Sequence, residues 1–486
     1  MPLMTGRQYL ESIPKMHTRV YIRGELVPNL VEHPELRPTF NAIALSYDLA
    51  HEPENESTYT CRSHFDGQKI NMFTNIHTEP DDLVRRVQQL KNLTPRHGGC
   101  VGARCVGSDA INAIYATTYD MDMKNGTTYH QRVQKWLKEV QEKDLAVSGM
   151  VTDAKGDRRL GPSKQPDPDV YLHVVRETPE GIIVKGAKAH QSGALHAHEN
   201  LILPTEAMTP DDKAYALAFA IPADAAGITH IFESPACTLR RSLENSDIDV
   251  GNYKYGVHGA SLVVFDNVFV PWDRVFMYGE TEFAGPLVGL FANYHRLAFC
   301  GCKSGHCDLI LGALQVSVEY AGLAKTEHVK EKMTDIMFNS ELSYGCAIGA
   351  ARFGSRTPAG VFQPETSLVN AAKLQGGKAV CIAAQQAYDI AGGLLCTMPS
   401  EKDLKSPVIG AYVNKYFAGV EGVKTENRIR ITRLIEYLSG QSSVIPAESV
   451  LGGGAPETQR VMIRAMFRRK SKQLMARAKE LAGINE

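Results

Sequence analysis

The strongest constraint on the fold of this 486-residue chain is a hydrophobic pattern that changes twice along its length. Up to about residue 145, apolar residues recur at helical spacing, as in 81–93. Between 146 and 283, short β-branched runs alternate with turn residues, which is typical of a compact barrel or sandwich. Helical spacing then returns in long segments that favour an antiparallel bundle. The predicted domains are an N-terminal helical domain at 1–145, a middle β-barrel domain at 146–283 and a C-terminal helical bundle at 284–486.

This order of helices, strands and helices is the order of the acyl-CoA dehydrogenase fold. We therefore predict an α+β chain of acyl-CoA dehydrogenase-like architecture. In that architecture flavin lies between the β domain and the helical bundle, often with help from a neighbouring subunit. The expectation of a flavin site at this boundary rests on analogy of fold alone.

The charges of the chain are balanced, with 53 basic and 54 acidic residues and a pI near 7. This balance argues against nucleic acid or an anionic membrane as a partner. The N-terminus lacks the pattern of a secretory signal, and no run of about 18 apolar residues could span a bilayer. We therefore expect a cytoplasmic protein whose ten cysteines are reduced thiols, used in packing, catalysis or metal binding.

The stretch His295–Lys303 concentrates groups that can bind metal. In a helix His295 and Cys302 lie two turns apart on one face, about 10 Å along the axis. That distance is too long for one zinc ion but suits a larger iron–sulfur cluster. Upstream, Cys100 and Cys105 lie in a glycine-rich segment and complete a set of three thiols and one imidazole. The spacing alone leaves the competing explanation open, in which these are ordinary buried thiols and a structural histidine.

Three loops have the composition of a flavin site. The loop 151–158 combines glycine with hydroxyl, acidic and basic groups, 188–193 offers polar groups with little bulk, and 448–456 places a carboxylate before three glycines. Each loop alone is more typical of a turn than of a site. The candidate cofactor-binding residues are Thr152, Asp153, Lys155, Gly156, Asp157, Arg158, His190, Gln191, Ser192, Gly452 and Gly453.

Several of these motifs occur together in one known family. They lie at 105–113, 117–120, 152–158, 187–191, 262–269, 295–303 and 391–393. With them the chain resembles the 4-hydroxybutyryl-CoA dehydratases, which are also vinylacetyl-CoA Δ-isomerases, along almost its whole length. These enzymes belong to the wider group of 4-hydroxyphenylacetate 3-monooxygenase-like flavoproteins, which shares the fold and the flavin loops but not the cluster ligands.

The resemblance implies a homotetrameric lyase, a dimer of dimers, that contains FAD and a [4Fe–4S] cluster. It implies dehydration of 4-hydroxybutyryl-CoA, or a close hydroxyacyl-CoA, to crotonyl-CoA through a ketyl radical, together with vinylacetyl-CoA isomerase activity. The implied catalytic residues are His295, Glu448 and Lys303, and Ser192 takes the place of a threonine near the flavin. The implied cluster ligands are Cys100, Cys105, His295 and Cys302.

The chain departs from the family pattern at several positions. Four residues instead of three separate Cys100 from Cys105, and Cys300 and Cys307 are nearby substitutes for Cys100. Apolar Phe299, Ala260 and Ala103 stand where the family has a tyrosine, a glutamate and a glutamine. The sequence therefore leaves open a different hydroxyacyl-CoA as the substrate, or isomerase activity without efficient dehydration. The alternatives of another class are a reduced-flavin-dependent aromatic hydroxylase without a cluster, an acyl-CoA dehydrogenase, and a non-catalytic flavoprotein.

Overall fold

The computed structural model describes residues 3–243, 246–256, 259–440 and 443–484. The helices are α1 (Gly6–Ser12), α2 (Arg37–Asp48), α3 (Glu56–Tyr59), α4 (Pro80–His97), α5 (Gly102–Asn125), α6 (Tyr129–Glu142), α7 (Ala236–Leu243), α8 (Thr281–Tyr320), α9 (Glu327–Arg352), α10 (Thr366–Ala391), α11 (Leu394–Thr397), α12 (Glu401–Leu404), α13 (Gly410–Tyr416), α14 (Thr425–Ser439), α15 (Ile445–Leu451) and α16 (Pro456–Leu481). The strands are β1 (Val20–Ile22), β2 (Glu25–Leu26), β3 (Thr60–Arg62), β4 (Lys69–Asn71), β5 (Val147–Met150), β6 (His173–Thr178), β7 (Gly181–Ser192), β8 (Glu199–Ile202), β9 (Leu217–Pro222), β10 (Ile228–Phe232), β11 (Ala260–Pro271), β12 (Val275–Tyr278), β13 (Ser355–Arg356) and β14 (Phe362–Gln363).

Ten of the strands form two open sheets. The larger sheet has the order β2-β1-β10-β11-β7-β6, and the smaller sheet has the order β12-β9-β8-β5. The β1–β10 and β5–β8 pairs are parallel, and the other pairs are antiparallel. Apolar residues of both sheets, among them Ile202, Phe219, Val184 and Val263, form one buried core between them. Burial alternates along much of β7 and β11, which explains their strand periodicity, whereas β5 and β8 are buried at every position.

The predicted acyl-CoA dehydrogenase-like α+β fold included a middle β-barrel. The structure has no closed barrel among its described strands, so this prediction is wrong. The larger sheet ends at the edge strands β2 and β6, and the smaller one ends at β12 and β5, so that neither sheet closes. Two strands of the larger sheet also come from the N-terminal segment, where Val20 pairs with His230. Local alternation predicts that a strand exists but not which distant strand it pairs with. The domain boundaries at 145 and 283 stay a prediction.

The helix α8 is the central element of the C-terminal part. It has 40 residues and packs against α4, α5, α9, α10 and α14. Two of its glycines allow α4 to approach closely, because a Cβ on Gly301 would overlap the carbonyl oxygen of Val87 and one on Gly305 would lie 2.9 Å from that of Lys91. Among the described helices, none is both long and apolar enough to cross a membrane.

Two of the predicted ligands lie in and directly after the short connection between α4 and α5. The helix α4 ends at Gly98, which has a φ of 60° that favours glycine, and Cys100 lies in the three residues that follow before α5 begins. Cys105 lies in the first turn of α5. The connection therefore brings both thiols to one end of the α4–α5 pair.

The start of α5 also contacts the end of β7. Gly193 directly follows β7 with a φ of 76°, and a Cβ there would overlap the backbone nitrogen of Ala103. A Cβ on Gly102 would lie 2.8 Å from the carbonyl oxygen of Ser192. These two glycines hold a predicted flavin-binding strand against the helix that carries Cys105.

We expect Gly193→Ala to be strongly destabilising. The new methyl group would need both a left-handed backbone and a shift of α5, with a combined cost of about 2–5 kcal/mol. Gly126→Ala is the matched control, because Gly126 also has a positive φ, of 67°, but no atom within 4 Å of the built Cβ. That change should cost only about 1–2 kcal/mol. Urea denaturation of both variants measures the difference, and equal midpoints would contradict the close contact.

Candidate active site

Three predicted site residues and Phe299 lie on one face of α8. His295, Phe299, Cys302 and Lys303 are separated by four, three and one residues, a spacing that places them along one side of the helix. The stretch 295–303 is helical, as its spacing predicted. The side chain of Lys303 is only 4% exposed, whereas that of His295 is 19% exposed. This face is therefore a largely buried surface that is open at the histidine end.

Glu448 of α15 is the counterion of Lys303. The ammonium group of Lys303 donates to Oε2 of Glu448 in a very short ion pair. Burial alone would lower the pKa of Lys303, but the carboxylate of Glu448 and the thiol of Cys302 raise it well above its ordinary value. The pair therefore keeps both groups charged and fixes α15 to α8. The structure brings these two predicted catalytic residues together.

Lys373 of α10 is a further cation at this site that the sequence interpretation missed. Its ammonium group donates to the carbonyl oxygens of Ser449 (3.3 Å) and Val450 (3.1 Å) and lies 4.5 Å from the ring centroid of Phe299. Burial lowers the pKa of Lys373 to about 8, although Glu448 opposes this shift. The only signal in the sequence was a lysine at helical spacing among the small and apolar residues of α10.

His295 is bonded through one of its ring nitrogens. Its Nδ1 lies 2.9 Å from Oδ2 of Asp109 on α5, and the ring of Phe291 stacks on it with centroids 5.5 Å apart. Nε2 is therefore the ring nitrogen left for another group. Asp109 was not predicted as a site residue, although it lies within the 105–113 motif.

The predicted thiol ligands lie at the same end of the molecule as His295. Cys100, Cys105 and Cys302 are all half-buried, and none of them forms a disulfide. Cys100 is close enough to Cys302 to raise its pKa, and burial is the main cause that raises the pKa of Cys302 to about 11. Cys105 lies one helical turn before Asp109, which contacts His295. Within the described residues, no three His, Cys, Asp or Glu side chains are close enough to hold a single metal ion.

The glycine loop after α15 lies against the same site. A Cβ on Gly453 would lie 3.5 Å from Cε of Lys373 and 3.6 Å from Cδ2 of His295, and the Gly453 carbonyl oxygen accepts a hydrogen bond of 3.0 Å from Nε of Arg296. Gly452 ends α15 directly before it. The φ of 69° at Gly453 favours glycine, and the loop brings this backbone position beside His295 and Lys373.

The predicted flavin-binding residues fall into two groups. Thr152, Lys155, Asp157 and Ser192 are half-buried, and Gly156, Arg158 and His190 are exposed, so that a ligand could reach them. Asp153 and Gln191 are buried instead. The Gln191 amide nitrogen donates to the carbonyl oxygens of Thr152 (2.7 Å) and Ala189.

Asp153 is committed to a buried ion pair within the protein. Its Oδ2 lies 2.9 Å from Nζ of Lys188, and both side chains are 3% exposed. The same ammonium group donates to the carbonyl oxygens of Val151 and Leu203, each at 2.9 Å. The pair therefore links β7 to the loop after β5 and leaves little capacity for a ligand.

We expect Asp153→Asn to lower the free energy of unfolding by about 3–5 kcal/mol, because it leaves the buried ammonium of Lys188 without a counterion. Asp157→Asn is the matched control in the same loop, since Asp157 pairs with the exposed Arg159. The control should hardly change the urea denaturation midpoint. If the two variants behave alike, Asp153 does not have the structural role assigned to it.

Lys373 should make stability depend on pH. Between about pH 8 and 10.5 the unfolded chain keeps this proton while the native chain releases it, so the free energy of unfolding rises with pH. The free energy of unfolding of the wild type, minus that of Lys373→Met, should therefore increase by about 3 kcal/mol from pH 8 to 10.5. Urea denaturation at several pH values measures it, with Lys378→Met as control, an exposed lysine of the same helix. A difference that stays constant with pH would contradict the depressed pKa.

Comparison with known proteins gives the family of the chain. Residues 5–277 match the N-terminal part of 4-hydroxyphenylacetate 3-hydroxylase, and residues 284–483 match its C-terminal part. The chain is 43% identical to the 4-hydroxybutyryl-CoA dehydratase/vinylacetyl-CoA-Δ-isomerase of Clostridium aminobutyricum over 99% of this chain and 100% of that protein.

Solved structures give the same relationship. An oxygen-tolerant archaeal 4-hydroxybutyryl-CoA dehydratase from N. maritimus superposes with a TM-score of 0.96 at 40% identity, over 100% of this chain and 96% of that one. A mutant of HpaB complexed with FAD superposes with a TM-score of 0.87 at 25% identity, over 99% and 100% of the two chains.

These structures also correct the predicted fold class. A glutaryl-coenzyme A dehydrogenase reaches a TM-score of only 0.50 at 14% identity, over 85% of this chain and 82% of that one. The fold is therefore that of the dehydratase and HpaB structures, and the predicted acyl-CoA dehydrogenase-like architecture is wrong. The chain belongs to the 4-hydroxyphenylacetate 3-hydroxylase family, in which it is more similar to a 4-hydroxybutyryl-CoA dehydratase than to the HpaB oxygenase.

Proposed function

We propose that this protein is a lyase that dehydrates 4-hydroxybutyryl-CoA, or a close hydroxyacyl-CoA, to crotonyl-CoA and isomerises vinylacetyl-CoA. The observation that carries the proposal is the 43% identity to a dehydratase/isomerase over almost the whole of both chains. The groups gathered on α8 support it, because they combine thiols, an imidazole and a charged Lys303–Glu448 pair in one place. We further propose a cytoplasmic homotetramer, a dimer of dimers, with an acyl-CoA as its small-molecule partner.

FAD is the first proposed cofactor. The HpaB structure that resembles this chain at 25% identity is a complex with FAD. In this chain the half-buried and exposed polar groups of 152–158 and 190–192 fit a flavin, since they remain accessible beside Gly193. We assign the flavin to Thr152, Lys155, Gly156, Asp157, Arg158, His190 and Ser192, with Gly452 and Gly453 at the opposite side. The buried side chains of Asp153 and Gln191 would hold these residues in place rather than contact the ligand.

A [4Fe–4S] cluster is the second proposed cofactor. We assign it to Cys100, Cys105, His295 and Cys302, which together supply the three thiolates and one imidazole that such a cluster accepts. The donor set fits, because these thiols are half-buried and form no disulfide, and because Asp109 leaves one nitrogen of His295 available. Four ligands that bind four different iron atoms need not lie as close together as the ligands of one ion. Cys300 fits less well, since its thiol is fully buried and donates to the Arg296 carbonyl oxygen.

The reaction defines what the residues must do. A proton leaves C2 and another leaves C3, hydroxide leaves C4 and one proton enters at C4, so that water is the net product. When bound, FAD would take one electron from the substrate and return it within the same cycle, since dehydration is redox-neutral, and the cluster would supply a Lewis acid for the C4 hydroxyl. The charged Glu448 carboxylate is the proposed proton acceptor near C2, and Lys303 holds it in place. His295 offers Nε2 as the proposed cluster ligand, which leaves proton transfer at C2 to Glu448.

The residues around Glu448 bear on the choice of substrate. Phe299, which replaces the tyrosine of the dehydratase pattern, lies between two ammonium groups, 5.0 Å from Lys303 and 4.5 Å from Lys373. An aromatic face attracts these cations but cannot donate a hydrogen bond to a substrate oxygen. Ala103 and Ala260 are also buried and apolar. This loss of polar groups favours a substrate range that differs from that of the family. The substrate is therefore either 4-hydroxybutyryl-CoA or a close hydroxyacyl-CoA.

The alternative function is a reduced-flavin-dependent aromatic hydroxylase without a cluster. The match to both parts of 4-hydroxyphenylacetate 3-hydroxylase is the observation that favours it. That relation is the more distant one, since the solved HpaB structure is 25% identical and the solved dehydratase 40%. A hydroxylase would also have no use for three thiols beside an imidazole.

The test is to purify the protein without oxygen and to measure flavin, iron and acid-labile sulfide per chain. We expect about four iron and four sulfide per chain, and formation of crotonyl-CoA from 4-hydroxybutyryl-CoA. Cys302→Ser and Cys105→Ser should lose iron, whereas Cys61→Ser should not, because Cys61 is a half-buried thiol of β3 away from α8. Flavin without iron, together with hydroxylation of 4-hydroxyphenylacetate by reduced flavin, would establish the alternative instead.

A further inference from the structure

Asp109 is the buried partner of His295. Its side chain is 1% exposed, and Oδ2 lies 2.9 Å from Nδ1 of the histidine. The two residues come from different helices, α5 and α8, which pack against each other. A hydrogen bond between side chains of two packed helices fixes both the rotation of the imidazole ring and the nitrogen that carries its proton.

The other oxygen of Asp109 faces a buried guanidinium group. Nη2 of Arg86 lies 3.4 Å from Oδ1, and the side chain of Arg86 is also 1% exposed. The same Nη2 donates to the carbonyl oxygen of Cys105 at 2.9 Å. A carboxylate that faces a guanidinium group is an acceptor on both oxygens. Nδ1 of His295 must therefore be the donor, and Nε2 carries the lone pair.

We propose that Asp109 is a positioning residue that presents Nε2 of His295 to the bound cluster, an inference that rests on the proposed function. Arg86 extends the arrangement to a second ligand, because it bonds both Asp109 and the backbone of Cys105. The residues at 105 and 109 are one helical turn apart, so one face of α5 supplies a ligand and the group that orients another ligand. The stacked ring of Phe291 keeps the imidazole in this plane.

Asp109→Asn tests the proposal without a change of size. Arg86 can only donate, so the amide oxygen of the new residue should face Arg86 and its NH₂ group should face His295. Nδ1 would then accept, and the proton would be favoured on Nε2, which weakens the binding of iron at that nitrogen. Loss of an outer partner of a metal-bound histidine usually costs 10- to 100-fold in metal affinity. We expect iron release to a chelator to be about 10- to 100-fold faster in the variant.

Asp144→Asn is the matched control. Asp144 is also a buried carboxylate beside a buried arginine of α5, Arg104, but it has no contact with His295. Both variants remove one buried charge, and both should lower the melting temperature to a similar extent. Only Asp109→Asn should accelerate the release of iron, while its flavin content should equal that of the wild type.

A second measurement reads the ring nitrogens directly. The full chain, labelled with ¹⁵N-histidine and stripped of iron, is studied by solid-state NMR, and the signal of His295 is assigned by its loss in His295→Gln. We expect a protonated Nδ1 in the wild type and a protonated Nε2 in Asp109→Asn. This readout needs no cluster, and the wild-type spectrum is sufficient if the variant does not fold.

The outcomes separate the two proposals. Faster iron release together with the exchanged tautomer supports the role of Asp109. Equal iron release in Asp109→Asn and Asp144→Asn, or a wild-type His295 with a protonated Nε2, overturns that role and leaves the cluster intact. Wild-type protein that contains flavin but no iron overturns the cluster in the proposed function and, with it, the presentation of Nε2 to a cluster.

Discussion

The site depends on charges that are buried and therefore need partners. Lys303 has little access to water, and it is stable there because Glu448 of α15 reaches it from across the bundle. Lys188 with Asp153 and Arg86 with Asp109 repeat the arrangement in other parts of the chain. Each pair joins two separate segments, so the pairs determine where helices and strands lie relative to one another. Removal of one partner is costly because it leaves a buried charge unpaired, but an intact pair adds little net stability. Charge pairing here chiefly specifies a single arrangement of the site.

Close backbone approaches complete this arrangement. Gly301 and Gly305 bring α4 against α8, and Gly193 brings the end of β7 against the start of α5. Cys100 lies in the connection from α4 to α5, and Cys105 lies in the first turn of α5. The thiols, the imidazole and the proposed flavin strand thus share one region because small residues let three backbones approach each other. A side chain at any of these glycines would separate the groups.

Sequence alone predicted the local features well and the long-range ones poorly. The helical stretch 295–303 and the family followed from motifs that are contiguous in the chain, whereas the ion pair of Lys303 with Glu448 was not predicted. The barrel prediction failed, because residues 20–26 join a sheet whose other strands lie about two hundred residues away. Lys373 was missed because a single lysine in an apolar helix face has no local signature. Asp153 looked like a ligand residue, since nothing near it in sequence indicates that Lys188 takes its carboxylate.

The fold itself does not decide the reaction. A solved HpaB superposes with a TM-score of 0.87, so the same arrangement of helices and open sheets occurs in an oxygenase component and in this chain. What separates the proposed functions is confined to two short segments, the α4–α5 connection with its thiols and the face of α8 from His295 to Lys303. The α8 face lies against the glycine loop after α15, and Glu448 of α15 pairs with Lys303 on that face. The apolar Phe299 lies on this same face of α8, where the family pattern has a tyrosine, so the reaction class follows from the similarity to a dehydratase more directly than the acyl group does.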